Sequence, residues 1–165
     1  MTFTLRVRIP GWAQGRPVPT DLYAYDDPTP SAWTVRVAGA PVNAVPEQGY
    51  VSIKREWRSG DEVEINLPMP VRAVHGDPHV AALQGRVAFE RGPVVYCVEE
   101  NGRNTPPDEW IAPATQDVAA SARPDLLGGI TILNFDHTPA VGAIPYYAWD
   151  NRGLSPMAVW LKRGK

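Results

Sequence analysis

Eighteen prolines and 14 glycines are scattered without period through the 165 residues, and their spacing decides what the chain can fold into. Proline lacks a backbone N–H and clashes with the preceding helical turn, so long helices are excluded while short strands joined by turns are not. Between these breaks the apolar residues alternate. Phe3, Leu5, Val7 and Ile9 fall on one side of a strand, with Thr4, Arg6 and Arg8 on the other, until Pro10-Gly11 ends it. Trp33, Val35 and Val37 repeat the pattern before Gly39-Ala40-Pro41. A further strand follows at 50–55, and Ser59-Gly60-Asp61 turns the chain into Val63, Ile65 and Leu67. The runs 86–90 and 94–98 flank Arg91-Gly92-Pro93, the second so apolar that it should be buried on both faces. Closing strands are expected at 130–135, 144–149 and 157–161. Residues 13–32 and 101–129 read as loops, with at most a short helix near 117–122, and 68–78 reads as a connection between lobes. The expected fold is an all-β antiparallel β-sandwich without long helices, built as two small lobes, residues 1–75 and 76–165.

Hydrophobic residues make up 44% of the chain and charged residues 21%, which is the composition of a globular domain. Lys and Arg number 16 against 18 Asp and Glu, interleaved rather than gathered, so neither nucleic acid nor an anionic membrane is an expected partner. No run approaches the ~20 apolar residues of a membrane span. Met1 leads straight into the first alternating strand, without the basic start and apolar stretch of a signal peptide. A cytoplasmic location is therefore expected, for a chain that reads as a piece of something longer. Cys97 is the single cysteine, so no internal disulfide and no cysteine cage for zinc can form within one chain.

Four segments, in order, carry a resemblance. They are Leu5-Arg6-Val7-Arg8-Ile9-Pro10-Gly11-Trp12; Gly49-Tyr50-Val51-Ser52-Ile53 with Arg55-Glu56-Trp57 and Gly60-Asp61-Glu62-Val63; 85–97 around Arg91-Gly92-Pro93; and 144–153 followed by Met157-Ala158-Val159-Trp160. In combination they resemble the C-terminal β-sandwich region of bacterial β-L-arabinofuranosidases, a glycoside hydrolase family. The resemblance implies a parent enzyme that hydrolyses terminal β-L-arabinofuranosyl groups with retention. It also implies a preceding (α/α)6 barrel, where a zinc-held cysteine attacks the anomeric carbon and a glutamate serves as acid/base. The sandwiches brace that barrel or make dimer contacts. No catalytic residue carries over to these positions, so the chain alone is expected to be inactive, with no cofactor of its own and the family's zinc in the catalytic domain. Its expected partners are the barrel or a second copy of itself, with an arabinoside as an alternative ligand.

The candidate chemistry within the chain is sparse. Cys97 lies in an apolar run with no neighbouring base to stabilise a thiolate, and reads as a small buried hydrophobe. His75 and His79 have helical metal-site spacing, but Gly76 and Pro78 argue against a helix there. Glu99-Glu100, Asp108-Glu109 and Asp26-Asp27 are adjacent carboxylates that would diverge on a strand instead of flanking a glycosidic bond. The aromatic residues are more suggestive. Trp33 and Trp160 should be buried in alternating strands. Trp110, Tyr23 and Tyr25 fall in expected loops, where aromatic faces can stack on sugar rings, and they are the candidate carbohydrate contacts. Trp149, Asn151 and Arg152 form a mixed aromatic and polar segment suited to a domain interface.

Overall fold

The computed structural model describes residues 1–100, 105–135 and 138–164, and the alternating segments fold as strands. In chain order these begin with β1 (Thr2–Arg8), β2 (Tyr23–Tyr25), β3 (Thr34–Val37), β4 (Ala40–Pro41), β5 (Tyr50–Glu56) and β6 (Val63–Asn66). They continue with β7 (Val71–Gly76), β8 (Arg86–Arg91), β9 (Val94–Glu99), β10 (Ile111–Ala112) and β11 (Ala119–Arg123). The last are β12 (Ile130–Phe135), β13 (Thr138–Pro145), β14 (Met157–Ala158) and β15 (Leu161–Arg163). Among the described residues the helical elements are only single 3₁₀ turns. None is long and apolar enough to cross a membrane.

In the first lobe β1 pairs antiparallel with β5, setting Val7 opposite Val51 and Leu5 opposite Ile53. β3 lies between β4 and β6, with Val35 opposite Ile65. The period-two pattern sends Val7, Val35, Val37, Val51 and Ile53 into one shared core, closed by the half-buried Trp12, Trp33 and Trp57. Two small sheets are thus held together by their apolar faces.

The second lobe is one larger sheet in the order β10-β15-β8-β9-β13-β12-β11. β7 adds to β8, β2 adds to β7 and β14 adds to β9. All its pairings are antiparallel except β10 with β15. Parity along the strands shows that both faces are covered. Tyr96 and Val98 of β9 enter one core with Phe89, Leu133 and Phe135, whereas Cys97 enters another with Ile130, Ile132 and Ile144. The expected two-sided burial of 94–98 is therefore observed. The whole is an all-β, mostly antiparallel, sandwich-like fold.

Three local expectations are corrected. Residues 71–76 form β7, paired with β8, rather than a connection. The short helix expected near 117–122 is a 3₁₀ turn, Thr115–Asp117, followed by β11, which pairs with β12. β13 ends at Pro145, and Tyr146–Ala148 is a 3₁₀ turn instead of a strand continuing to 149.

The loop 13–32 stitches the lobes together, because three of its residues leave the first lobe and become β2 of the second. Tyr25 is buried, and its hydroxyl donates to Glu90 Oε2 at 3.0 Å. Burial pushes the Tyr25 phenol well above its usual range, and the Glu90 charge adds to the shift. The Arg72 guanidinium lies over the Tyr25 ring and donates to the carbonyls of Asp27 and Thr29 at 2.8 and 2.6 Å. Asp26 Oδ1 receives both His75 Nδ1 and Arg163 Nη2 at 2.9 Å. Burial alone would raise the Asp26 pKa, but Arg163 and His75 outweigh it and hold the carboxyl below its ordinary value. The loop closes on itself at Gly15, whose φ of 82° is left-handed and whose missing Cβ would lie 1.9 Å from the Pro28 carbonyl oxygen. Gly15→Ala is predicted to destabilise the fold by more than the ~1–2 kcal/mol of the left-handed backbone alone, read as a lowered thermal midpoint. An unchanged midpoint would show that the loop is not seated on Pro28.

Candidate functional site

A buried carboxylate organises the surface at 146–155. Glu99 ends β9 and is 5% exposed, although β9 is otherwise apolar. An isolated charge in such a setting is costly, and Arg152 meets it with an ion pair from the loop after Tyr146–Ala148. That contact draws the 149–155 loop over the end of the sheet. The Trp149 indole N–H donates to the Ser155 carbonyl at 2.8 Å, and its half-buried ring packs with Cys97, Ile132 and Ile144. Asp150 takes a left-handed φ of 66°, and Asn151 Nδ2 donates to the Trp149 carbonyl at 3.2 Å. The loop is therefore pinned at both of its ends.

This pinned loop exposes three large apolar side chains beside the polar Asp150, Asn151 and Arg152. Pro145 is fully buried, and the turn after it leaves Tyr146 and Tyr147 48% and 67% exposed. Leu154 is 95% exposed. Tyr146 stacks on Trp149 with ring centroids 6.4 Å apart, which ties the exposed phenol to the pinned indole. An aromatic ring held in this way, as Tyr146 is by Trp149, loses little conformational entropy when covered.

The structure places Trp149, Asn151 and Arg152 in one loop, with Trp149 and Arg152 serving as its fastenings and Tyr146, Tyr147 and Leu154 as its outward face. The sequence reading missed these three because it continued the strand through 149. The available signal was Pro145 followed by two adjacent tyrosines, which a strand would send to opposite faces but a tight turn presents together. Trp110, Tyr23 and Tyr25 are not gathered on one surface. Tyr25 is 3% exposed, with its ring in the core beside Val74 and Ala88. Tyr23 belongs to β2 rather than a loop and packs against Trp160, with centroids 5.4 Å apart. Trp110 is half-buried against the core, and its indole N–H donates to the Thr105 carbonyl at 3.2 Å. Trp33 and Trp160, expected in the core, are half-buried at its margins.

The groups with chemical potential are engaged elsewhere. Cys97 is 1% exposed, and burial, with the Glu99 charge adding and Arg152 opposing, pushes its thiol up to about 12. His75 lies on β7 against Asp26, and His79 Nδ1 contacts Asp77 at 2.7 Å. Among the described residues no three His, Cys, Asp or Glu side chains converge to hold a metal ion.

Comparison with known proteins shows two matches that together cover nearly the whole chain. Residues 1–69 match the β-L-arabinofuranosidase middle domain of glycoside hydrolase family 127, and residues 71–162 match the C-terminal domain of the same family. A non-reducing end β-L-arabinofuranosidase from Bifidobacterium longum subsp. longum is 28% identical over 185 residues, covering 95% of this chain and 25% of that protein. A solved β-arabinofuranosidase of family 127 is 38% identical with a TM-score of 0.85, over 99% of this chain and 28% of the other. The family 127 β-L-arabinofuranosidase from Geobacillus stearothermophilus T6 is 34% identical with a TM-score of 0.75, over 99% and 27%. The chain thus spans about a quarter of the length of the relatives it matches.

Two outcomes follow from the site. Arg152→Ala removes an ion-pair partner of the buried Glu99 and is predicted to cost about 2 kcal/mol, less than for a fully enclosed pair because Arg152 is partly solvated. Chemical denaturation measures this, and a loss within error of zero would remove Glu99 as the organiser of the loop. Cys97 is predicted not to react with a thiol-exchange reagent at pH 8 until the protein is unfolded; rapid labelling of the native chain would contradict its assigned burial.

Proposed function

The chain belongs to glycoside hydrolase family 127, and on that premise we propose that it is a non-catalytic accessory β-sandwich portion of a β-L-arabinofuranosidase-type enzyme. In this reading the chemistry resides in a catalytic (α/α)6 barrel outside these 165 residues, and the sandwiches brace that barrel or mediate dimer contacts. The observation that carries the proposal is that both family matches fall on the middle and C-terminal domains and leave no described segment assigned to other work. The pinned 146–155 loop supports it, since Tyr146, Tyr147 and Leu154 offer a preformed apolar surface.

The zinc that the family implies finds no fitting donor set among the described residues. Cys97 is held as a buried thiol, and His75 is committed to Asp26. In this reading zinc-assisted displacement at a sugar carbon belongs to the catalytic barrel. The proposal predicts that the purified 165 residues release no nitrophenol from p-nitrophenyl β-L-arabinofuranoside, with or without added zinc. Turnover that scales with protein concentration and persists in a Cys97→Ala variant would place an active site in the sandwiches and overturn the accessory role.

A further inference from the structure

On a different surface from the 146–155 loop, the seating of β2 on β7 leaves a cleft at Asp26. One cavity of about 330 Å³ is lined by Asp26, Arg163, Thr115 and Gln116 against the apolar side chains of Val87 and Phe89. A second of about 420 Å³ shares Asp26, Thr115 and Gln116 with it, and a third of about 370 Å³ shares Asp26 and Arg163. Volumes of this size suit a small molecule, and an apolar wall with a few convergent polar groups is the usual make-up of such a site.

The bonding at Asp26 is lopsided. His75 Nδ1 and Arg163 Nη2 both reach the same oxygen, Oδ1, at 2.9 Å. Among the described residues Oδ2 has no partner, and neither do Nε and Nη1 of Arg163. A carboxylate acceptor and guanidinium donors therefore stand side by side at the rim of the cleft. The charges balance: Arg163 and His75 face Asp26, and Arg72, which donates to carbonyls of the 13–32 loop, lines the second cavity together with Asp27. An anion entering would meet the ionised Asp26, and a cation would meet Arg163 and Arg72.

We propose that this cleft binds a small neutral polyol of about pentose size through two adjacent hydroxyl groups. One hydroxyl donates to Asp26 Oδ2, and its neighbour accepts from the unpartnered N–H groups of Arg163. Thr115 and Gln116 serve further hydroxyls, while Val87 and Phe89 pack against the carbon face. None of the aromatic residues singled out in the sequence lines it, and the proposal does not rest on the accessory role.

The test is a titration of the isotopically labelled chain with L-arabinose and with xylitol, followed by amide chemical shifts, with sodium acetate as a charged control. Saturable shifts at residues 26, 115, 116 and 163 with millimolar affinity are expected. Asp26→Asn keeps the Oδ1 contacts but replaces the free acceptor by a donor, and should weaken binding about tenfold. Gln116→Ala, at an exposed position on the turn, should weaken it about threefold and leave the spectrum otherwise native. No saturable shift with either polyol would overturn the assignment. So would equal affinity in both variants, or displacement of the polyols by acetate.

Discussion

A strand with no solvent-facing side imposes its demands on everything around it. β9 sends Tyr96 and Val98 into one core and Cys97 into another, so it must continue apolar until the sheet ends. It ends instead on Glu99, a carboxylate that is almost wholly enclosed. Burying that charge unmatched would cost several kcal/mol, a large share of a small domain's stability. Arg152 offsets part of that cost, and in reaching inward it ties the 149–155 loop to the end of β9. The outward face of Tyr146, Tyr147 and Leu154 is thus a consequence of a problem solved inside the sheet. A loop held this way is ordered before anything covers it, which lowers the entropic cost of covering it.

The same logic joins the lobes. A three-residue strand such as β2 has little stability of its own, and it persists because Tyr25 is buried and Asp26 is held by His75 and Arg163. Asp26, His75 and Arg163 lie far apart in the chain, so β2 is held only once β7 and β15 have taken their places in the larger sheet. The two family segments meet at 69–71, yet the hydrogen bonding reaches across that point through β2. The two family segments are therefore joined through β2 and are not two beads on a linker.

Much of this was legible in the sequence. Period-two alternation placed β1, β3, β5 and β6, and the unbroken apolar run of 94–98 announced a strand covered on both faces. The motifs around Arg91-Gly92-Pro93 and Ile144–Trp149 pointed to the family. What escaped notice depends on long-range pairing. β7 has Pro70 before it and Gly76 at its end, both read as breaks, and it is a strand only because β8 and β2 lie on either side. Tyr25 looked like a loop aromatic because nothing local reveals that Glu90, 65 residues away, would receive its hydroxyl. Arg152 read as part of a domain-interface segment because its partner is 53 residues distant and lies in an apolar strand. Local pattern defines strands, but the pairing of buried charges is decided only when the sheet assembles.

Sedimentation of the purified chain across a range of concentrations tests the central claim most directly. If the pinned surface is an interface left uncovered, the chain self-associates as its concentration rises. A Tyr147→Asp/Leu154→Asp variant, altered only at exposed positions, then remains monomeric with an unchanged thermal midpoint. A chain that stays monomeric at every concentration, or a variant that associates as the parent does, would contradict the assignment of 146–155 as an interface.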